Sequence, residues 1–363
     1  MENKTPNHIN FGSIEQFRNV IYTVNNKFNF VGLDDNGAAI YDSSLPKPVL
    51  NFEWTVKLHG TNAAACYNNI DGFWEQSREQ IITTEKDNAG FSSFVNNNLL
   101  AFNSLFTHIS NLHKVNLFEN TISIFGEFVG KGINKGVAIA NLPKSFFIFA
   151  IKVTPIESEV NNDNERKSYW IHPKDLNVDK TIYPDVRIYN IYDYPHGSIT
   201  IDFNKPELSQ NEIIDLTLKV EEECPVSKAF GFSGIGEGIV LTSQLDNTHL
   251  MFKSKGVKHS ESKVKFLKPV DDEKINKLIE LAEKVTPEWR LEQMLQNSCD
   301  LLNGGFIERK KMGDFMKAVI QDVIKEDDDI LAEAGVEIKD LGKYISEIAK
   351  KYFFAKEKEV VKL

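Results

Sequence analysis

A chain of 363 residues with 41% hydrophobic and 26% charged content has the size of two compact domains and enough apolar surface to bury a core in each. Its net charge of −10 excludes a protein that coats nucleic acid by bulk charge, though not an enzyme that grips it through a local basic surface. Cys66, Cys224 and Cys299 form no CxxC pair, so neither a disulfide framework nor a zinc site is expected, and a reducing, cytoplasmic setting is. No run of ~18 apolar residues marks a membrane span, and no basic-then-apolar leader opens the sequence.

The first 50 or so residues carry no motif. Phe52–Val56 reads as a strand, and a second strand-like stretch precedes Arg78. Phe94, Leu99, Phe102, Leu105, Phe106 and Ile109 recur at near-helical spacing and predict one helix over about 92–113. Thr121–Phe128 and the aromatic Phe146–Val153 predict strands, as do Gly238–Thr242 and His249–Lys255. Loop signals lie at Gly130–Gly132, Pro155–Lys167 and Tyr194–Gly197. After Pro269 the texture turns helical. Asp271 can cap a helix carrying Ile275, Leu278, Ile279 and Leu281, and apolar stripes follow over 289–302, 312–324 and 338–354. The acidic runs Glu221–Glu223 and Glu326–Asp329 read as solvated faces.

Candidate chemistry begins at Lys57-Leu-His59-Gly-Thr-Asn62, directly after the first strand. Glu127 lies among apolar strand residues in Phe125-Gly-Glu-Phe-Val-Gly130, where an unpartnered carboxylate is costly. Glu237 opens Glu-Gly-Ile-Val-Leu241. Lys253 and Lys255, two apart on a strand, point to one face and can reach one phosphate chain. Lys258, Lys263, Lys265 and Lys268 extend this into a basic cluster.

These residues, in this order, resemble the covalent nucleotidyltransferase superfamily, and most closely the phage-type RNA ligase 2 family of ATP-dependent RNA ligases. His59 in Lys-x-His-Gly-Thr-Asn, the stretch Gly126–Ile133, and Lys253-Ser-Lys255 with Lys258-His-Ser-Glu261 carry the resemblance. It implies an α+β fold: a nucleotidyltransferase domain of ATP-grasp-like antiparallel sheets over residues 1–268, then an all-helical domain over 269–363. It implies Lys57 as the nucleophile that takes AMP from ATP, with His59, Lys253 and Lys255 beside the reacting phosphates. Asn62 and Arg78 would contact the nucleotide, Glu127 the ribose, and Phe149 would stack on adenine. Phe146 or Phe147 takes that role if the register differs by one to three. Glu237, with Glu127, would hold Mg²⁺ through water, Mn²⁺ substituting. The implied partner is RNA, as nicked duplex or broken ends, sealed by a monomer in RNA repair in the cytoplasm, that of the host cell if the chain is phage-encoded. Arg309-Lys-Lys311 and the basic cluster are candidate contacts to its backbone.

A lysine of pKa near 10.4 is neutral in only about one molecule in 2,500 at pH 7, so the site must favour the neutral amine by up to roughly 4–5 kcal/mol, through burial or nearby cations. Two departures from the family pattern bear on base selection: Ala150 follows Phe149, and Val56 precedes the lysine, where acids often stand. The rival readings are a DNA ligase or capping-type enzyme of the same superfamily and a non-catalytic nucleic-acid-binding relative. A P-loop kinase or ATPase is disfavoured, since GxxxxGK[ST] is absent.

Overall fold

The computed structural model describes residues 6–33, 37–87, 89–156, 167–176, 185–246, 248–259 and 267–361. Lys263, Lys265 and most of the predicted loop Pro155–Lys167 lie outside the described residues. The elements are α1 (Phe17–Asn29), β1 (Phe30–Leu33), β2 (Ala39–Tyr41), β3 (Val49–Lys57), β4 (Thr61–Asn68), β5 (Gly72–Ser77), β6 (Ile81–Ile82), α2 (Phe91–Asn97), α3 (Leu99–His113), β7 (Asn120–Val129), β8 (Ser145–Pro155), β9 (Tyr169–Ile171), β10 (Ile188–Asn190), β11 (His196–Asp202), α4 (Gln210–Glu222), α5 (Pro225–Ala229), β12 (Gly238–Leu245), β13 (Thr248–Lys255), α6 (Asp272–Val285), α7 (Glu288–Cys299), α8 (Met312–Glu326), α9 (Asp328–Ala334) and α10 (Ile338–Val361). The fold is thus α+β, with sheets followed by a helical region.

Two compact units form, the first from the described residues of Met1–Val20, Asn51–Thr200 and Glu212–Leu267, the second from those of Ile21–Leu50, Ile201–Asn211 and Lys268–Leu363. In the first, a seven-stranded sheet runs β10-β8-β7-β4-β5-β6, with β9 also on β8. Its pairs are antiparallel save β10 with β8, which are parallel. One face is sealed by Phe91, Phe94, Phe102 and Phe106 of α2 and α3 against Ile122, Ile124, Phe146 and Ile148. The single helix expected over 92–113 is two, because Asn98 leaves helical geometry and its side-chain amide donates to Phe94 O. Asparagine competes in this way with the backbone ladder.

A β-bulge decides what the other face presents. The β7–β8 register jumps between Phe125 and Gly126, leaving Phe149 as the extra residue. Before the bulge Phe146 and Ile148 enter the helix-side core; after it Ile151 and Val153 do. The bulge therefore reverses the alternation and presents Phe147, Phe149 and Ala150 together on the opposite face. A second sheet of four strands runs β11-β3-β12-β13, with β3–β12 and β12–β13 antiparallel. Strand β11 begins at His196, so the loop read over Tyr194–Gly197 ends two residues early.

The N-terminal segment, opaque in sequence, ties both sheets together. Gln76 of β5 exchanges two hydrogen bonds with the backbone of Ile9, while Glu15 N donates to Met251 O and Lys253 N donates to Glu15 O. Glu221 is buried, contrary to the solvated face expected of its acidic run. It accepts from Lys258 N, and Gly256 lies so close that a Cβ there would stand 2.1 Å from the Glu221 carboxyl carbon.

In the second unit Leu278, Leu291, Leu295, Phe315, Val319, Leu341 and Phe353 form the core shared by α6, α7, α8 and α10. Asp271 caps α6 as expected, accepting from Lys274 N at 2.8 Å. The run Glu326–Asp329 is again not merely solvated: Asp327 pairs with the buried Arg290, and Asp328 and Asp329 open α9, where acids suit the helix dipole. No described helix is long and apolar enough to cross a membrane.

Candidate active site

Strand alternation and register place the site before any ligand is considered. On β3, Glu53, Thr55 and Lys57 share one face. Across the sheet Lys57 stands opposite Gly238 and Lys255, Thr55 opposite Val240 and Lys253, Glu53 opposite Thr242 and Met251. This face and the bulged face of the seven-stranded sheet line a cavity of about 730 Å³. That volume suits a small-molecule site. Asn62, Glu127, Phe147 and Phe149 contribute from the larger sheet, Phe11 from the N-terminal segment, and Arg78 at the rim.

The loop after Lys57 is fixed by close approach. Gly60 N donates to Glu127 Oε1 at 2.8 Å, and Gly60 O accepts from Asn134 Nδ2 at 2.7 Å. A Cβ on Gly60 would meet Phe128 O at 2.3 Å, so this position of the Lys-x-His-Gly-Thr-Asn stretch admits only glycine without displacement. Leu58, buried, anchors the loop from within.

Glu237 is 2% exposed and organises the cationic end. Its Oε2 accepts from Lys57 Nζ at 2.7 Å, its Oε1 stands 2.7 Å from Lys255 Nζ, and His59 Nδ1 is 3.4 Å from Oε2. Burial alone would raise the Glu237 pKa; the His59 contact and the charges and hydrogen bonds of Lys57 and Lys255 outweigh it and hold the carboxyl well below the usual range. Glu127 goes the other way. Burial raises its pKa against the charge of Lys57 and the bond from Gly60, and the charge of Glu237 adds to the rise.

The sequence expectation set cations beside Lys57 to favour its neutral form. The structure instead inserts the Glu237 carboxylate between Lys57 and Lys255. The pKa of Lys253 is lowered by burial and then by the charges of Lys255, Lys57 and Arg78.

Of the nine predicted site residues, seven line the cavity: Lys57, Asn62, Arg78, Glu127, Phe149, Lys253 and Lys255. Glu237 stands behind the lysines, with His59 beside it. Arg78 is exposed, its Nε 3.4 Å from Glu79. Phe149 meets Phe11 edge-on at 5.1 Å. Of the alternatives for its role, Phe147 also lines the cavity, whereas Phe146 points into the helix-side core against Phe91 and Phe102. Sequence reasoning missed Phe11, Glu53, Trp170, His172, His249 and Met251 on the cavity wall. Extending the two-residue period back from Lys57 would have found Glu53; nothing local signals Phe11.

A sequence model of the family described as RNA ligase matches residues 51–255. No curated protein matches the chain in sequence. Among solved structures it is similar to an RNA ligase of Naegleria gruberi with PPi, at 16% identity and a TM-score of 0.40, over 70% of this chain and 58% of that one. Variants of that ligase were solved with ATP and Mn, at 16% identity and a TM-score of 0.41, and with AMP and Mn, at 15% and 0.39. The chain thus covers 58% of the length of these structures. The chain belongs to the RNA ligase family.

Proposed function

We propose that this member of the RNA ligase family is an ATP-dependent RNA ligase of the RNA ligase 2 type, working through a lysyl-AMP at Lys57. The observation that carries the reading is the convergence of Lys57, Lys253 and Lys255 from one sheet and Glu127 from the other on a nucleotide-sized cavity. His59 within the nucleophile stretch supports the subtype.

The chemistry runs in three displacements. The Lys57 amine attacks the α-phosphorus of ATP, forming a P–N bond and releasing pyrophosphate. An oxygen of an RNA 5′-phosphate then attacks the same phosphorus, freeing Lys57 and leaving AMP joined to the RNA end. A 3′-hydroxyl finally attacks the RNA phosphate and expels AMP. Phosphoryl transfer asks a protein chiefly for positioning and charge. Lys253, with no carboxylate at ion-pairing distance among the described residues, offers its charge to the phosphates. Incoming phosphates compete with Glu237 for Lys255, and so loosen the resting cluster around Lys57. Asn62 donates to phosphate oxygen, Glu127 meets the ribose, and Phe149 stacks on the base, worth about 1–3 kcal/mol in single-strand binders.

Among the described residues no group of three or more His, Cys, Asp or Glu side chains forms a direct metal cage. The ionised Glu237 and the neighbouring Glu127 fit a magnesium or manganese ion that keeps much of its water and takes phosphate oxygens, and it would neutralise phosphate charge there.

The division we propose is an adenylyltransferase part to residue 268 and a helical part from 269 that helps hold RNA. Of the expected backbone contacts, Arg309 is already forked onto Glu357 and Lys310 is paired with Glu308, so Lys258, Lys268 and Lys311 carry this assignment. RNA repair is the role that fits sealing of broken ends.

The test is incubation of the wild type and Lys57→Ala with α-labelled ATP and magnesium, followed by nicked RNA or nicked DNA. The expected result is an acid-labile adduct on the wild type alone, transferred to RNA 5′-phosphate ends. An adduct that survives Lys57→Ala moves the nucleophile elsewhere.

A further inference from the structure

The cavity continues past the phosphate end. Glu53 stands on the same face of β3 as Lys57, four residues away, about 13 Å along the strand and on the scale of a nucleoside monophosphate. Between them lies the row of Thr55, Val240 and Lys253, and Phe149 of the other sheet lines the same cavity. Neither Val56 nor Ala150 offers a polar side chain here.

Glu53 is a prepared acceptor. His172 Nδ1 accepts from Lys174 N at 3.0 Å, which leaves the imidazole proton on Nε2, and that nitrogen stands 2.5 Å from Glu53 Oε2. Lys174 Nζ donates to Oε1. Burial alone would raise the pKa of Glu53, but the hydrogen bonds from Lys174 and His172 and the charge of Lys174 lower it, so it is ionised at neutral pH. An ionised carboxylate has about four lone-pair sites. Two are used by donors fixed just after β9; the others remain for the cavity, into which Glu53 is partly exposed.

We infer that Glu53 reads the amino edge of the nucleobase in this cavity, accepting from the 6-amino group of adenine and repelling the 6-oxo group of guanine. The inference rests on the nucleotidyl-lysine reading above and adds the group that selects the nucleotide. Adenine presents an amino donor where guanine presents a carbonyl acceptor, so one fixed carboxylate separates the two. Lys174 and His172 are positioning residues: they hold the carboxylate's geometry and its charge.

The experiment measures single-turnover labelling of the full-length wild type by ATP, by purine riboside triphosphate, which lacks the 6-amino group, and by GTP. Each is also offered to Glu53→Gln. On the wild type, removing the amino group should cut labelling efficiency on the order of 10–100-fold, mostly through KM, with GTP lower still. In Glu53→Gln, whose amide can donate to a carbonyl, the ATP-to-GTP ratio should fall by a similar factor. A merely structural role lowers labelling by all three nucleotides equally, and that result overturns the inference. So does a wild type that labels equally with ATP and purine riboside triphosphate, a comparison needing no variant to fold. A wild type unlabelled by any nucleotide defeats the nucleotidyl-lysine reading itself. Labelling by ATP without discrimination at the 6-position defeats only the role of Glu53.

Discussion

Gly60→Ala probes whether the loop after Lys57 must lie against β7. The new methyl would sit 2.3 Å from Phe128 O, 2.7 Å from Val129 Cγ1 and 3.0 Å from Glu127 Cγ. Phe128 belongs to a strand paired on both sides, so the loop has to give. Overpacking of this kind costs about 1–3 kcal/mol, and losing the Gly60–Glu127 hydrogen bond about 1–3 kcal/mol more. One displacement relieves the first by breaking the second, so the two overlap and about 2–4 kcal/mol is expected. The chemistry should suffer more, since a shift of about 1 Å at a reacting centre can cost roughly 100-fold in rate. Rapid-quench measurement of adduct formation at saturating ATP, beside a denaturant titration, checks both. A wild-type rate and an unshifted midpoint would refute the close-approach argument. Lost stability at an unchanged rate would confine Gly60 to packing and free Lys57 from the loop.

Three further outcomes follow from the geometry. Gly342 lies inside α10, and a methyl added there would meet no heavy atom within 4 Å, so Gly342→Ala should raise stability by about 0.5–1 kcal/mol in a denaturant titration. Because the Glu237 pKa is lowered from its ordinary 4.5, its cluster contributes stability above that pH and loses it as pH falls below. Wild type should therefore weaken from about pH 5 to pH 3, and Glu237→Gln should show a shallower loss, although Glu127, with its raised pKa, works in the opposite sense. Equal slopes would remove Glu237 from the acid limb. Sealing of nicked RNA should fall steeply with salt while adduct formation changes little, because only the former releases backbone counterions; a salt-insensitive sealing rate would dismiss the lysine contacts.

How much was legible depended on how local the signal was. The strands around Lys57, Glu127 and Lys253 were readable because alternation and aromatic content are properties of consecutive residues, and the Asp271 cap because its partner is three residues away. The break at Asn98 was hidden, since the apolar stripe runs through it and only a side-chain bond to Phe94 O interrupts the helix. The bulge at Phe149 left no trace in a run of phenylalanines, though it decides which of them face the cavity. The burial of Glu221 and the wall formed by Phe11 arise from contacts with residues far along the chain, which no window of sequence contains. The motif residues gave the site's membership; the resting ion pairing of Lys57 with Glu237 needed coordinates.

That ion pair spans 180 positions, and the N-terminal segment reaches farther still, to Met251 and Lys253. During vectorial synthesis Lys57 leaves the ribosome long before Glu237, and the segment bearing Phe11 waits for a strand that has not been translated. Non-local pairing of this kind closes late. A nascent chain therefore has no assembled pocket for a nucleotide, and under the lysyl-AMP reading proposed above adenylylation competence would arrive late, once residue 255 is free to fold.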